Sequence, residues 1–391
     1  MKKIFLILLI VVIAGSCSLS TRETFPLPQD LADATGQTVA ARGVVTTGQL
    51  GPFYDYDAQG LAYMEGRIET SIHYAYSVDS GDFVTALLDK EEVLIGGGAR
   101  VASSYPSLNT GGLLIKSYPR FVYDSEQGFD WGYGWSVQSK NHSASSGMFY
   151  TIAYAVGIRL KKADGSYMTK DLVQRYIKYI SKDGLYSINP KAEVDCPAGY
   201  AFTAGGAEII PFDNYQDNYI TACYAADVGN TGIYDRGGKW VVQAKSSATY
   251  SVAKARSWGV VIKTLDGTDN TIPGFGDIRV QHVGLPGKIT SGPGRNSTVT
   301  VEGVPTLFTT HTGYSGNYLI PNSMGYLVTG VGAMTEFSGN TYNTDGRFLT
   351  SMHPTYDGVG AYVSDKDHIV KDSGILSAQF MMINFDYNSD N

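Results

Sequence analysis

The sequence contains few histidines, few cysteines and few charged residues for a chain of 391 residues. Its six histidines and three cysteines form neither a His-Glu-x-x-His nor a Cys-x-x-Cys pattern, so the common zinc signatures are missing. Charged residues make up 17% of the chain, and the formal net charge is −7. This balance argues against nucleic acid as a partner, because phosphate binding needs a basic face.

The motifs of common enzyme classes are also missing. The serine in HTGYSGN (311–317) lies near glycines but lacks the Gly-x-Ser-x-Gly pattern, and GGGAR (96–100) lacks the Lys-Ser/Thr ending of a phosphate-binding loop. Carboxylates are numerous, but no pair is marked by its spacing as a glycosidase pair. We therefore predict no catalytic residue, no metal site and no cofactor.

Long apolar runs are rare, and the one that stands out is at the N-terminus. A basic MKK start is followed by the uninterrupted run Ile4–Ala14, which is shorter than the roughly 20 residues of a membrane span and is typical of a signal peptide. The AGSC sequence that ends at Cys17 resembles a bacterial lipobox. The resemblance implies that Cys17 carries lipid and that a tethered body follows, in the outer membrane or at the cell surface, since Ser18 is not aspartate. An anchor helix and a plain secretory signal are the alternatives.

Four short sequence blocks occur three times in the same order. Each is rich in β-branched, aromatic or alternating residues and is bounded by turn residues, which is typical of short antiparallel strands. The first block is IGGGARV (95–101), TAGGAEI (203–209) and TGVGAMT (329–335), and the second is LIKSYP (114–119), ITACYA (220–225) and LTSMHP (349–354). The third is WSVQSKNH (135–142), WVVQAKSS (240–247) and AYVSDKDH (361–368), and the fourth is GMFYTIAYAVGIRL (147–160), SVAKARSWGVVIK (251–263) and GILSAQFMMINF (374–385).

These blocks predict an all-β fold of three related four-stranded antiparallel modules, β-prism-like or β-sandwich-like. The glycines of the first block indicate a close approach between sheets. The matching positions of Trp135 and Trp240 favour a role in packing. One inserted amphipathic helix is predicted over residues 168–184, with Thr169 as N-cap and Gly184 as stop.

The same patterns predict the domain organisation. The segments are a signal peptide (1–16), a tether (17–45), an N-terminal β extension (46–83), module 1 (84–166), a linker with the helix (167–191), module 2 (192–268), a loop or hairpin insertion (269–321) and module 3 (322–391).

One segment has the composition of a sugar-binding site. YDSEQGFDWGYGW (123–135) combines aromatic rings, which stack on sugars, with acids that supply hydrogen bonds. The candidate ligand-binding residues are Tyr123, Phe129, Asp130, Trp131, Tyr133 and Trp135. The alternative is a hairpin loop whose rings pack back on the sheet. Separately, Cys196 and Cys223 are a candidate disulfide pair, and two buried thiols are the alternative.

The block order resembles secreted bacterial modules of the CPAG…GGGA…SYP…W type, through CPAGYAFTAGGAE (196–208) and GGGARV…KSYP…W. The first module lacks the cysteine of this pattern, and the third lacks both the cysteine and the tryptophan. The resemblance implies a secreted β-module. We expect a lipid-anchored cell-surface recognition protein that binds a glycan, matrix or a surface protein, without nucleic acid. A structural envelope lipoprotein and a secreted carbohydrate-active enzyme are the alternatives.

Overall fold

The computed structural model describes most of the chain after residue 45. The described residues are 46–55, 66–78, 83–103, 112–126, 128–141, 149–213, 217–227, 238–246, 251–263, 278–284, 289–291, 297–301, 325–337, 347–356, 358, 360–367 and 374–385. All of them belong to one compact unit, Ala40–Asn391. Cys17 and the predicted signal peptide lie outside the described residues.

The described part of the chain forms twenty strands and one short helix. Before the helix lie β1 (Thr46–Tyr54), β2 (Ile68–Val78), β3 (Val84–Leu87), β4 (Val93–Ser103), β5 (Gly112–Asp124), β6 (Phe129–Asn141) and β7 (Phe149–Leu160). The helix is α1 (Lys170–Gln174). After it lie β8 (Ile177–Asp183), β9 (Lys191–Asp195), β10 (Tyr200–Pro211), β11 (Asn218–Ala226), β12 (Lys239–Ser246), β13 (Ala253–Lys263), β14 (Ile278–Gly284), β15 (Ile289–Ser291), β16 (Ser297–Val301), β17 (Leu327–Phe337), β18 (Arg347–Pro354), β19 (Ala361–Asp367) and β20 (Gly374–Phe385).

The strands form three antiparallel sheets, so the predicted all-β class is confirmed. The first sheet has the order β1-β2-β7-β4-β18-β19-β16, and the second has the order β3-β6-β5-β10-β13-β8. The third has the order β14-β20-β17-β11-β12-β9, with β15 also paired to β20. In the N-terminal extension, β2 pairs with β7 along its whole length.

The repeat is present in these sheets, but its four strands do not form a module of their own. The first and fourth strands of each repeat pair with one another, as do the second and third. The two pairs of one repeat then belong to different sheets, joined to pairs from another repeat through Ala99, Ala207 and Ala333. The predicted four-stranded modules are therefore not confirmed, because strand pattern alone does not specify which repeat supplies the partner at a sheet edge.

Equivalent β-bulges in β4, β10 and β17 bring the three repeats together. The bulged residues are Ile95, Thr203 and Thr329. The Thr203 hydroxyl donates a hydrogen bond to the Ile95 carbonyl at 2.8 Å, and the Thr329 hydroxyl donates to the Thr203 carbonyl at 2.7 Å. A Cβ added at Gly96 would lie 1.9 Å from the Thr329 carbonyl oxygen, which confirms the predicted close approach at this block.

The two repeat-equivalent tryptophans lie in the core. Trp135 and Trp240 are both 0% exposed. Their indole N–H groups donate to the Ser117 hydroxyl at 2.9 Å and to the Cys223 sulfur at 3.2 Å. A Cβ at Gly97 would lie 2.4 Å from the Trp135 ring, so the glycine of this block makes room for the indole. In the third repeat the larger side chain is at the other position of this pair: Val331 replaces the glycine, and Ala361 replaces the tryptophan.

The long inserted helix was a wrong prediction. Helix α1 spans only five residues, and the sequence after it forms β8, which pairs with β13 at the edge of the second sheet. Ile177 and Tyr179 are buried while Lys178 between them is exposed, which is the two-residue period of a strand. Over so short a segment the apolar spacing fits the period of a helix as well as that of a strand. The segment forms a strand because it pairs with the edge of β13.

Candidate ligand-binding surface

The six predicted ligand-binding residues lie on the hairpin of β5 and β6, within the strands rather than in a loop before them. Tyr123 is 63% exposed, and Phe129, Asp130, Trp131 and Tyr133 are half-buried. Trp135 is fully buried, so its assignment as a ligand-binding residue is wrong.

The aromatic residues near the hairpin tip already have partners in the chain. The Trp131 indole donates to Asp124 at 3.0 Å, and its ring centroid lies 5.1 Å from that of Phe129. Lys170 and Arg175 lie over these two rings, at 5.4 and 5.9 Å from their centroids. Cation–π contacts of this kind hold the rings against α1 and reduce the area that is open to a ligand.

A longer group of rings lies beside this hairpin on the second sheet. Phe83, Tyr118, Trp258, Phe121 and Tyr179 follow one another with successive ring centroids 6.3, 5.7, 5.7 and 5.0 Å apart. We call these five residues the aromatic row. They come from β5, β8 and β13 and from the residue before β3. The row is not apparent in the sequence, because its members are scattered over 176 positions, from residue 83 to residue 258.

A glycine explains why two rings of the row meet across a strand. Gly206 on β10 pairs with Trp258 on β13, and the next residue of β10 pairs with Ser117 on β5. A Cβ at Gly206 would lie 2.8 Å from the Tyr118 Cα, so a larger residue is excluded there. The space above this glycine is filled by the Tyr118 and Trp258 rings, which stack with 17° between their planes.

The row is partly open to solvent. Phe83 is 45% exposed, Phe121 and Trp258 are half-buried, and Tyr118 is 7% exposed. The Trp258 indole N–H is buried and has no hydrogen-bond partner among the described residues. Half-exposed rings held by their neighbours present rigid apolar faces, the kind of surface that a sugar ring contacts.

Charged side chains cross the same sheet beside the row, in register. Lys116, Glu208, Arg256 and Asp183 form successive ion pairs, with distances of 3.3, 3.4 and 2.5 Å. Arg256 first, with Lys254, lowers the pKa of Asp183 to about 2, so this carboxylate is ionised at neutral pH. Lys116 and Arg256 also lie over Phe83 and Trp258, at 5.0 and 5.6 Å from the ring centroids.

A buried cluster of Ser71, His73 and Glu92 has the residue types of a catalytic triad. The His73 Nε2 atom lies 2.5 Å from Glu92 and 3.2 Å from the Ser71 hydroxyl, while that hydroxyl donates to Glu92. In a triad the acid and the serine contact different nitrogens of the imidazole. Here one nitrogen faces both, so the serine is not activated.

The carboxylate of this cluster is fully hydrogen-bonded. Burial raises the pKa of Glu92, but hydrogen bonds from His73 and Ser71 outweigh burial, and the net pKa is lowered. Asp89 lies beside this cluster. The ligand atoms of His73, Asp89 and Glu92 lie within 4.8 Å of one another, which is close enough to hold a metal ion. The internal hydrogen bonds satisfy the buried members, so a structural role explains the cluster.

The two cysteines of the predicted disulfide are not bonded to each other in the structure. Cys196 is half-buried and its sulfur donates to the Tyr200 carbonyl at 3.2 Å, whereas Cys223 is buried against Trp240. Burial raises the pKa of the Cys223 thiol to about 12, so it stays protonated and unreactive. Cys223 therefore packs as a small hydrophobic residue.

No protein-family model and no curated protein sequence matches this chain. Within the described residues, no helix combines the length and the apolar composition that crossing a bilayer requires.

Proposed function

We propose that this protein is a lipid-anchored cell-surface protein that binds glycans, with the aromatic row as its sugar-contacting surface. The lipobox-like sequence before Cys17 supports the anchor and a place in the outer membrane or at the cell surface. A single acyl chain gives only marginal anchoring, and two or more give stable attachment.

The observation that carries the sugar-binding role is the half-buried Trp258 ring stacked on the buried Tyr118 ring over Gly206. Its faces are apolar, while the ion pairs beside it offer hydrogen-bond donors and acceptors. Sugar recognition needs this combination of flat apolar faces and nearby polar groups. The arrangement of each repeat across two of three sheets is compatible with a β-prism, a shape common among lectins, although fold alone does not fix function.

The test is a glycan array with the chain from Ser18 onward, which removes Cys17 and keeps every described residue. Phe83→Ala and Trp258→Ala remove rings of the row, and each is expected to weaken binding about tenfold or more, as for aromatic hot spots. Phe212→Ala is the matched control, because Phe212 is an aromatic residue that is 69% exposed outside the row.

The outcome that supports the proposal is specific binding that is lost in both row variants and kept in the control. Binding that is unchanged in Phe83→Ala and Trp258→Ala would move the site elsewhere, and a Trp131→Ala variant then tests the hairpin tip. Absence of binding to every glycan contradicts the proposal.

A protein-binding role is the second candidate, and a separate apolar patch favours it. Leu185 and Phe212 are 86% and 69% exposed, and the Tyr186 ring contacts Phe212 edge-on with centroids 5.3 Å apart. Exposed apolar patches of this kind often mark contacts between proteins. A structural lipoprotein predicts self-association through this patch. Light scattering of the Phe212→Ser variant beside the unchanged chain tests it.

A further inference from the structure

We propose that the glycan bound by the aromatic row carries an anionic group, a carboxylate or a sulfate, and that Arg120 binds this group. The inference rests on the proposed sugar-binding function and names the class of sugar.

Arg120 is an exposed residue of β5, two positions after Tyr118. Its Nε donates to the Tyr133 hydroxyl and its Nη1 to the Tyr118 hydroxyl, both at 3.2 Å. These two tyrosines hold the guanidinium group beside the stack of Tyr118 and Trp258. Its Nη2 atom has no hydrogen-bond partner among the described residues.

Among the described residues no carboxylate pairs with Arg120, unlike its charged neighbours on the same sheet. Arg256 is paired with Asp183 at 2.5 Å and with Glu208 at 3.4 Å, and Lys116 is paired with Glu208 at 3.3 Å. The contacts of Arg120 within the described residues are to neutral phenol groups. A positive charge that is fixed in place without a carboxylate partner favours an anion from outside the chain.

Asp124 and Asp130, two acidic residues of the same hairpin, do not take this role. Asp124 accepts hydrogen bonds from the Trp131 indole at 3.0 Å and from the Glu126 backbone N–H at 2.9 Å. Asp130 lies opposite Tyr123 near the tip, where burial raises its pKa. Neither forms an ion pair with Arg120 among the described residues.

The geometry suits a sugar acid better than a free anion. The guanidinium group is planar and binds a carboxylate or sulfate through two of its nitrogens. The hydroxyls of Tyr118 and Tyr133 keep it in position before the ligand arrives, which lowers the entropy lost on binding. A sugar ring stacked on the row can therefore reach Arg120 with a charged substituent.

The experiment compares two matched pairs of ligands by calorimetric titration. Oligogalacturonate and its methyl ester differ in the charge of the carboxyl group, and dextran sulfate and dextran differ in the sulfate. We expect the unchanged chain to bind the charged member of at least one pair about tenfold more tightly, the strength of a charge-assisted hydrogen bond. The pair that shows the preference identifies the anion.

The variants distinguish a specific role of Arg120 in binding the anion from a general effect of positive charge on the surface. Arg120→Gln is expected to abolish the preference and to leave binding of the neutral ligand unchanged, and Arg120→Lys to restore part of it. Arg175→Gln is the control, because it removes an exposed positive charge near the hairpin tip and is expected to keep the preference. Equal melting temperatures show that each variant is folded.

The outcomes distinguish this inference from the proposed function. Binding with no preference for the charged member, or a preference that survives Arg120→Gln, overturns the inference and leaves sugar binding in place. Absence of binding to all four ligands, together with an array without signal, overturns both.

Discussion

The first and second sheets each carry two rings stacked across a glycine, and only the stack in the second sheet has a ring that reaches solvent. In the second sheet Tyr118 and Trp258 stack across Gly206, and in the first sheet His353 and Tyr154 stack across Gly98, with centroids 4.2 Å apart. A Cβ would lie 2.3 Å from a carbonyl oxygen of the neighbouring strand at either glycine. Trp258 is half-buried, whereas Tyr154 and His353 are both 0% exposed.

The chain after the second strand of the repeat explains the difference. After Pro354 the chain turns back, with the Thr355 N–H bonded to the Gly360 carbonyl at 2.9 Å, and Tyr356 comes within 3.5 Å of the Tyr154 hydroxyl. After Pro119 the chain instead continues in β5 and pairs with β6 as far as Asp124. The stack is therefore fully buried in the first sheet, whereas in the second sheet its Trp258 ring is partly open to solvent.

Removing one ring of each stack, Tyr154 or Trp258, is expected to give the largest difference in the free energy of unfolding. We expect Tyr154→Ala to lower the free energy of unfolding by about 3–5 kcal/mol, because it leaves a cavity in a fully buried site. Trp258→Ala is expected to cost about 1–2 kcal/mol, because part of this ring is already in water. Urea denaturation measures both, and equal costs would contradict the difference in burial.

Two ion pairs extend the comparison to charge. Arg347 and Asp365 in the first sheet are 0% exposed and lie 2.6 Å apart, whereas Arg256 and Asp183 in the second sheet are about one-third exposed. Asp365→Asn leaves a buried arginine without its anion and is expected to cost about 3 kcal/mol. Asp183→Asn is expected to cost less than about 1 kcal/mol, because solvent screens the pair. Similar losses of stability in the two variants would be inconsistent with this account.

The pH dependence gives the smallest effect when it is counted over one pH unit. Burial, followed by the charge of Arg100, lowers the pKa of His353 from 6.5 to about 3. Between these pH values the unfolded chain binds more protons than the folded chain, so stability falls as the pH falls. His353→Tyr introduces the residue of the second sheet, which does not titrate in this range.

We therefore expect thermal unfolding of His353→Tyr to show a shallower loss of stability from pH 6.5 downward, by up to about 1.4 kcal/mol per pH unit. His282, with a pKa lowered to about 4 by burial, keeps part of the slope in both proteins. The slope is the readout, since a larger ring in a packed site also changes stability at pH 7. An unchanged slope would contradict the buried, neutral state of His353.

The sequence was sufficient for the strands and the repeat, because both depend on local period and on block order. The matching block positions of Trp135 and Trp240 identified two core residues. Partner choice could not be predicted, because each repeat exchanges its second and third strands with a neighbour. The segment of β8 was predicted as part of a helix because its apolar spacing fits a helix as well as a strand, and its pairing with β13 is not visible in the sequence.

The candidate site was predicted only in part. The hairpin of Tyr123–Trp135 was found from its composition, and it supplies Tyr133, which holds Arg120. The aromatic row depends on four segments that meet only in the folded sheet. A signal was nevertheless present: Tyr118 and Trp258 occupy fixed places in the second and fourth blocks, on both sides of the glycine of the first block.

The most direct test of the central claim is glycan-array binding by the chain from Ser18 onward, measured beside Trp258→Ala and Phe212→Ala. The account predicts specific binding that is lost when the Trp258 ring is removed and retained when the Phe212 ring is removed. Binding that survives Trp258→Ala, or no binding to any glycan by the unchanged chain, would contradict a sugar-contacting role for the aromatic row.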